Sequence, residues 1–229
     1  MTVKADSVSK RYFRKTGGAN YFFAVQPASL EIAPGELTVL TGRSGSGKTT
    51  LLHMLSGLLM PSGGKVWYDD MDLYALEDKA LSRLRGGRIG IVPQGRSAVD
   101  TLTVLENILL PARLYRRPLP EKAAAQWMER LGIAQLQDAR PAELSGGELR
   151  RMAIVRALAQ EPEVLFADEP TGDLDDENTR LVLSAFRAYA CEKKKAVFTV
   201  THENGALPYA DRVYRMDGGQ MTASAGQAE

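Results

Sequence analysis

A glycine, four free positions and then Gly-Lys-Thr run from Gly42 to Thr49 as Gly42-Arg43-Ser44-Gly45-Ser46-Gly47-Lys48-Thr49, followed by Thr50. This is the spacing of a phosphate-binding loop. Glycines let the backbone wrap so that several N–H groups converge on one anion, and a helix that follows adds the partial positive charge of its N-terminus. Lys48 then reaches the β- and γ-phosphates of a nucleotide, and the hydroxyl of Thr49 binds Mg²⁺. Far downstream, Asp168 and Glu169 close the apolar run Val164-Leu165-Phe166-Ala167. Carboxylates at the end of a buried strand are costly unless paired or metal-bound. Asp168 escapes that cost by holding the Mg²⁺ of a bound nucleotide through its waters. Glu169 then accepts a proton from the water that attacks the γ-phosphate, a role typically worth ~10²–10⁴ in rate.

A third stretch repeats the physics of the first. Leu144-Ser145-Gly146-Gly147-Glu148 precedes the helical pattern Leu149 to Gln160, so a hydroxyl and bare backbone N–H groups face outward from the positive end of a helix. Two readings stand at this point: a second phosphate site, or Ser145 as an ordinary helix N-cap.

These residues need elements to hold them. Leu37 to Leu40 reads as a buried strand feeding the phosphate loop, and Leu51, Leu52, Met54, Leu55 and Leu58 fall at helical spacing after it. Before that strand, Val3 to Tyr12 and Tyr21 to Ile32 read as antiparallel strands around the loop Arg14 to Asn20. Further strands are expected at Lys65 to Tyr68, Arg88 to Val92, Val164 to Ala167, Ala196 to Val200 and Arg212 to Met216. Between Gln94 and Gln160 the pattern is helical, with Thr103 and Glu106 forming a capping box and Pro120 opening a helix that Gly132 ends. A further helix is expected over Asn178 to Ala190, so the strand–helix–strand order is that of a parallel α/β core.

The chain has 229 residues, 44% apolar and 25% charged, ordinary values for one globular domain. Its 29 basic and 28 acidic residues leave a formal charge of +1, so no global field recruits nucleic acid. Cys191 is the only cysteine, which excludes an intramolecular disulfide and a cysteine-built metal site. The first residues carry no apolar signal core, and the apolar window Leu51 to Met60 is too short to span a bilayer, so the chain is not expected to cross a membrane by itself.

Taken together, the phosphate loop, Gln94 after a strand, Leu144 to Glu148, Asp168-Glu169, Thr171-Gly172-Asp173-Leu174-Asp175 and His202 after the last core strand follow the order of an ATP-binding cassette ATPase domain, and the whole chain resembles that family. Ala167 to Gly172, Thr201-His202-Glu203 and Tyr209 to Val213 are most similar to the subgroup of macrolide-efflux, lipoprotein-release and cell-division ATPases. The resemblance implies an α/β fold: a P-loop NTPase (RecA-like) core with an N-terminal antiparallel β subdomain over 1–94 and 161–221, an inserted α-helical subdomain over 95–160, and a frayed tail over 222–229. It implies ATP and Mg²⁺ as cofactors, and catalytic roles for Glu169, His202 at the γ-phosphate, and Gln94 as a sensor of Mg²⁺ and the attacking water. Mg²⁺ would be held by Thr49, Gln94 and Asp168, and adenine stacked on Tyr12, a residue whose other reading is sheet core. Ser145, Gly146, Gly147 and Glu148 would cover the ATP of a second copy, and Asp175 would lie at the subunit interface.

The resemblance also implies a separate integral membrane permease, met through the segment after Gln94, and a place on the cytoplasmic face of the membrane. Export or extraction of amphipathic or peptide-like substrates is the leading reading. The alternative is a non-transport ATPase that signals through a membrane partner, and a soluble repair or translation ATPase comes last. Two departures stand out. Gly95-Arg96-Ser97-Ala98-Val99-Asp100 replaces the apolar stretch and proline usual in the subgroup, and Asp173 stands where Asn or Ala is common.

Overall fold

The computed structural model describes residues 1–14, 20–172 and 174–223. Most of the loop expected between the first two strands, the departure at Asp173, and residues 224–229 of the expected frayed tail lie outside the described residues.

The first two segments form the antiparallel pair β1 (Val3–Arg14) and β2 (Asn20–Ile32), aromatic at the hairpin end, with Val3, Val8, Val25 and Ile32 buried beneath. β3 (Leu37–Gly42) leads into α1 (Lys48–Leu55), and β4 (Gly63–Tyr68) returns to pair antiparallel with β1, followed by the short β5 (Met71–Asp72). α2 (Asp78–Gly87) precedes β6 (Ile89–Val92). Then come α3 (Val104–Leu114), α4 (Glu121–Arg130) and α5 (Gly146–Ala159) in succession, the inserted helical layer. Thr103 and Glu106 form the expected capping box at the start of α3, with Glu106 N–H donating to Thr103 Oγ1 and Thr103 N–H to Glu106 Oε2. β7 (Val164–Asp168), α6 (Asp176–Lys193), β8 (Ala196–Thr201), β9 (Arg212–Asp217) and β10 (Gln220–Ala223) complete the fold.

β2, β1, β4 and β5 make a four-stranded sheet, and the second sheet has six strands in the order β10-β9-β3-β8-β7-β6. β3 pairs in parallel with both β8 and β9, and β7 with both β8 and β6. These strands are buried on both faces, and period-two alternation sorts their side chains. Leu37, Val39, Leu165, Ala167 and Val197 face the layer of α3 to α6, whereas Leu40, Val164, Phe166, Phe198 and Val200 face α1 and the antiparallel sheet. Trp127 of α4 meets Tyr189 of α6 edge to face at 5.9 Å, joining the helical insertion to the core.

β10 lies where fraying is expected from Thr222 onward. The turn at Gly218 and Gly219, with φ 51° and 82°, reverses the chain so that Met221 and Thr222 pair with Met216 and Arg215.

Candidate active site

Parallel strands bring their carboxyl ends to one edge of a sheet, and the phosphate loop, Gln94, Asp168, Glu169 and His202 sit there. Register aligns Thr41 of β3 with Thr201 of β8, Val200 with Asp168 of β7, and Ala167 with Val92 of β6. The phosphate loop, Gln94, Glu169 and His202 therefore emerge side by side, although they are far apart in the chain.

The loop ends at Gly47, the N-cap of α1, whose φ of 107° suits glycine. A Cβ there would lie 2.2 Å from the carbonyl oxygen of Ala24, so β2 runs directly over the loop. Lys48 is buried; its Nζ donates to the carbonyls of Gly42 at 2.7 Å and Arg43 at 3.2 Å and stands 3.5 Å from Glu169 Oε1. Thr49 Oγ1 donates to Asp168 Oδ1 at 3.1 Å. Burial raises the pKa of Asp168 above the usual carboxylate range, against the bond from Thr49, which lowers it.

Glu169 has φ 47°, a left-handed conformation unfavourable for a residue with a Cβ. Its N–H donates to Val200 O at 2.9 Å, and its second carboxylate oxygen, Oε2, accepts the His202 main-chain N–H at 3.2 Å. That same oxygen lies 2.9 Å from His202 Nδ1.

A cavity of about 450 Å³ opens between Ser44, Gly45, Gly47, Lys48, Thr49 and Thr50 of the loop, Gln94 and Glu169 opposite, and Phe22, Phe23 and Ala24 of β2. A wider cleft adjoins it, reaching Gly42, Arg43, His202 and Arg215. The hydroxyl of Ser46 is buried without a hydrogen-bond partner, a donor held beside the loop's backbone cradle. This is a fit for a phosphate chain. A divalent cation fits too: Thr49 and Asp168 offer two oxygens 3.1 Å apart, and Gln94 faces the same cavity. Among the described residues no three His, Cys, Asp or Glu side chains gather into a cage. Mg²⁺ needs no such cage, since it characteristically takes one or two protein oxygens and completes its shell with phosphates and water.

Not every expected residue reaches this cavity. Tyr12 does not line it; its ring lies 6.0 Å from that of Phe22, which does. Phe22 and Phe23 are apolar faces that sequence reasoning passed over, because only the register of β1 on β2, and of β2 over Gly47, brings them to the loop. Ser145 to Glu148 also lie off the cavity. There Ser145 caps α5: its Oγ accepts Glu148 N–H at 3.3 Å, and Glu148 Oε2 accepts from both Ser145 N–H and Oγ at 2.8 Å, holding the Glu148 carboxyl below its ordinary pKa. Asp175 caps α6 through Asn178 N–H at 2.8 Å. Arg151 of α5 in turn bonds the side chain of Asn178, a link between the two caps that nothing in the sequence marks.

A strand–glycine loop–helix over a parallel sheet, with an antiparallel sheet on one side and a helical insertion on the other, defines the class: a P-loop nucleotide-binding cassette. Residues 25–172 match the family model described as ABC transporter, and the chain belongs to that family. It is 39% identical over 205 residues to an uncharacterized ABC transporter ATP-binding protein of Mycobacterium bovis, covering 87% of this chain and 62% of that one. The chain thus spans less than two thirds of that relative's length. It is also 39% identical over 196 residues to the lipoprotein-releasing system ATP-binding protein LolD of Pseudomonas fluorescens, covering 85% and 86% of the two chains. The bacterial ABC transporter cassette MJ0796, solved as a dimer, superposes with a TM-score of 0.88 at 30% identity, over 98% of this chain and 99% of that one.

Proposed function

We propose that this chain is an ATP hydrolase that closes on ATP as a head-to-tail pair with a second copy and drives a separate membrane permease in exporting or extracting amphipathic or peptide-like substrates. The observation that carries the reading is the convergence of Lys48 and Glu169 on the phosphate-loop cavity, with His202 holding Glu169 from the adjoining cleft. Similarity to LolD and to a cassette solved as a dimer bound to ADP and Pi supports the energy source and the pairing.

Lys48, held by two carbonyls at the loop's mouth, places its charge against the β- and γ-phosphates. Thr49, Asp168 and Gln94 would hold Mg²⁺, which when bound would neutralise charge developing on the phosphates. Glu169 accepts the proton of the attacking water, and His202 fixes the carboxylate's other oxygen so that the accepting atom is aimed rather than free. Phe22 and Phe23 offer apolar faces for the base beside Tyr12. Ser145 to Glu148, which do not line this cavity, complete the site of the second copy.

Among the described residues no helix is long and apolar enough to cross a membrane. The segment after Gln94 is the proposed contact with the permease, and a position at the cytoplasmic face of the membrane is part of the same proposal. The test is release of phosphate from ATP by the purified chain with and without Mg²⁺. Hydrolysis that depends on Mg²⁺ and rises more steeply than linearly with protein concentration is expected. No hydrolysis by the wild-type chain, alone or with its permease, would overturn the proposal.

A further inference from the structure

Arg150 lies on α5, little more than one helical turn from Ser145, and is 6% exposed. Its guanidinium bridges two main-chain carbonyls from different loops: Nη1 donates to Pro93 O at 2.7 Å, and Nη2 to Glu169 O at 2.6 Å. Pro93 immediately precedes Gln94. Glu169 O belongs to the peptide that follows the left-handed Glu169, and it accepts a second bond from Gly172 N–H at 3.4 Å. One side chain of the helical insertion therefore touches the main chain of Glu169 and of Pro93, the residue before Gln94, and Glu169 and Gln94 face the cavity from opposite the phosphate loop.

We infer that Arg150 is a positioning residue for hydrolysis, fixing the Glu169 carboxylate and Gln94 as one unit relative to the N-terminus of α5. The inference rests on the ATP hydrolysis proposed above. A left-handed residue persists only where its surroundings over-determine it. Here Val200 O fixes the N–H side of Glu169 and Arg150 fixes the carbonyl side. A planar fork of donors holds two carbonyls from different loops in one fixed geometry, each on its own nitrogen; an ammonium is a point charge on a flexible stem. When a second copy engages Ser145, any tilt of α5 moves Arg150 and with it both carbonyls. The base and the Mg²⁺ sensor would then be set together by closure rather than independently.

Arg150→Lys keeps the charge and the aliphatic stem but not the bridge, and Arg150→Gln keeps one short donor. For each, kcat, Mg-ATP affinity at protein concentrations too low for pairing, and Tm are measured beside wild type. Arg150→Lys is expected to lower kcat roughly tenfold to a hundredfold, the cost of a small misplacement of a catalytic group, with nucleotide affinity within about twofold and Tm little changed. A kcat within about threefold of an active wild type would overturn the inference alone. So would a kcat that falls in step with Tm or with affinity across both variants, the mark of a packing role. An inactive wild type would instead overturn the hydrolysis it rests on.

Discussion

Oε2 of Glu169 lies 2.9 Å from Nδ1 of His202 and accepts the same residue's main-chain N–H at 3.2 Å, so one residue holds one carboxylate oxygen from two directions. The other oxygen faces Lys48 at 3.5 Å. The carboxylate has little freedom to rotate, as an aimed proton acceptor requires.

Glu169→Gln keeps this shape and loses the acceptor. Nucleotide binding should persist while kcat falls by ~10²–10⁴, and the chain should run as a dimer in size exclusion with Mg-ATP. Turnover within about threefold of wild type would remove Glu169 from the base role.

Lys48→Ala and Ser145→Ala should differ in kind. The first deletes the cation at the loop's mouth and should weaken ATP binding by the single chain. The second removes the cap of α5, costing about 1 kcal/mol and therefore about 2–4 °C in Tm, while sparing single-chain affinity and lowering only hydrolysis that depends on pairing. Equal loss of affinity in both, read by nucleotide titration at low protein concentration, would place the Ser145 segment on its own chain's nucleotide.

Arg96 pairs with Asp100 four residues on, at 2.6 Å, and both side chains are exposed, at 54% and 67%. Such a pair adds little stability. Reversal by Arg96→Glu should therefore leave Tm and basal hydrolysis almost unchanged, yet reduce co-purification with the proposed permease partner and that partner's stimulation of hydrolysis, because rim charges chiefly set partner choice and association rate. Normal assembly of this variant would rule out the contact.

Glu163 receives Arg88 in a two-pronged bond, at 2.5 and 3.0 Å, which holds its carboxyl below the ordinary range. A depressed folded pKa means stability that is present above the unfolded value near ~4.3 and lost as pH falls through the folded one. Both side chains are partly solvated, so the contribution is at most about 1 kcal/mol. Glu163→Gln should thus lower Tm by no more than about 2–4 °C at pH near 7, and the gap should close as pH falls through the carboxylate range. A gap that persists in acid would mean that packing, not charge, is lost.

Much of this was legible in the sequence, and the residues explain why. Gly42 to Thr49 and Asp168-Glu169 carry their chemistry in local spacing, and the buried strands announce themselves as continuous apolar runs such as Val164 to Ala167. Tyr12 and Phe22 show the limit: both lie in one aromatic hairpin, and only the pairing of Tyr12 with Phe22 and the pass of Ala24 over Gly47 decide which ring lines the cavity. Arg150 was invisible because an arginine inside a helix reads as a solvated charge until its acceptors, Pro93 and Glu169, are folded against it. β10 was missed because Met221 is the one large apolar residue there, and its order comes from the hairpin rather than from the pattern.

The turn between β9 and β10 does more than reverse the chain. Gly219 N–H donates to Ser46 O in the phosphate loop, and Gly219 O accepts Gln26 N–H from β2. Both bonds await a residue that leaves the ribosome long after the loop itself. A nascent chain halted before Gly219 holds a correctly spelled phosphate loop without the clamp that joins it to β2. Chains ending before Gly219 should therefore be poor competitors for ATP.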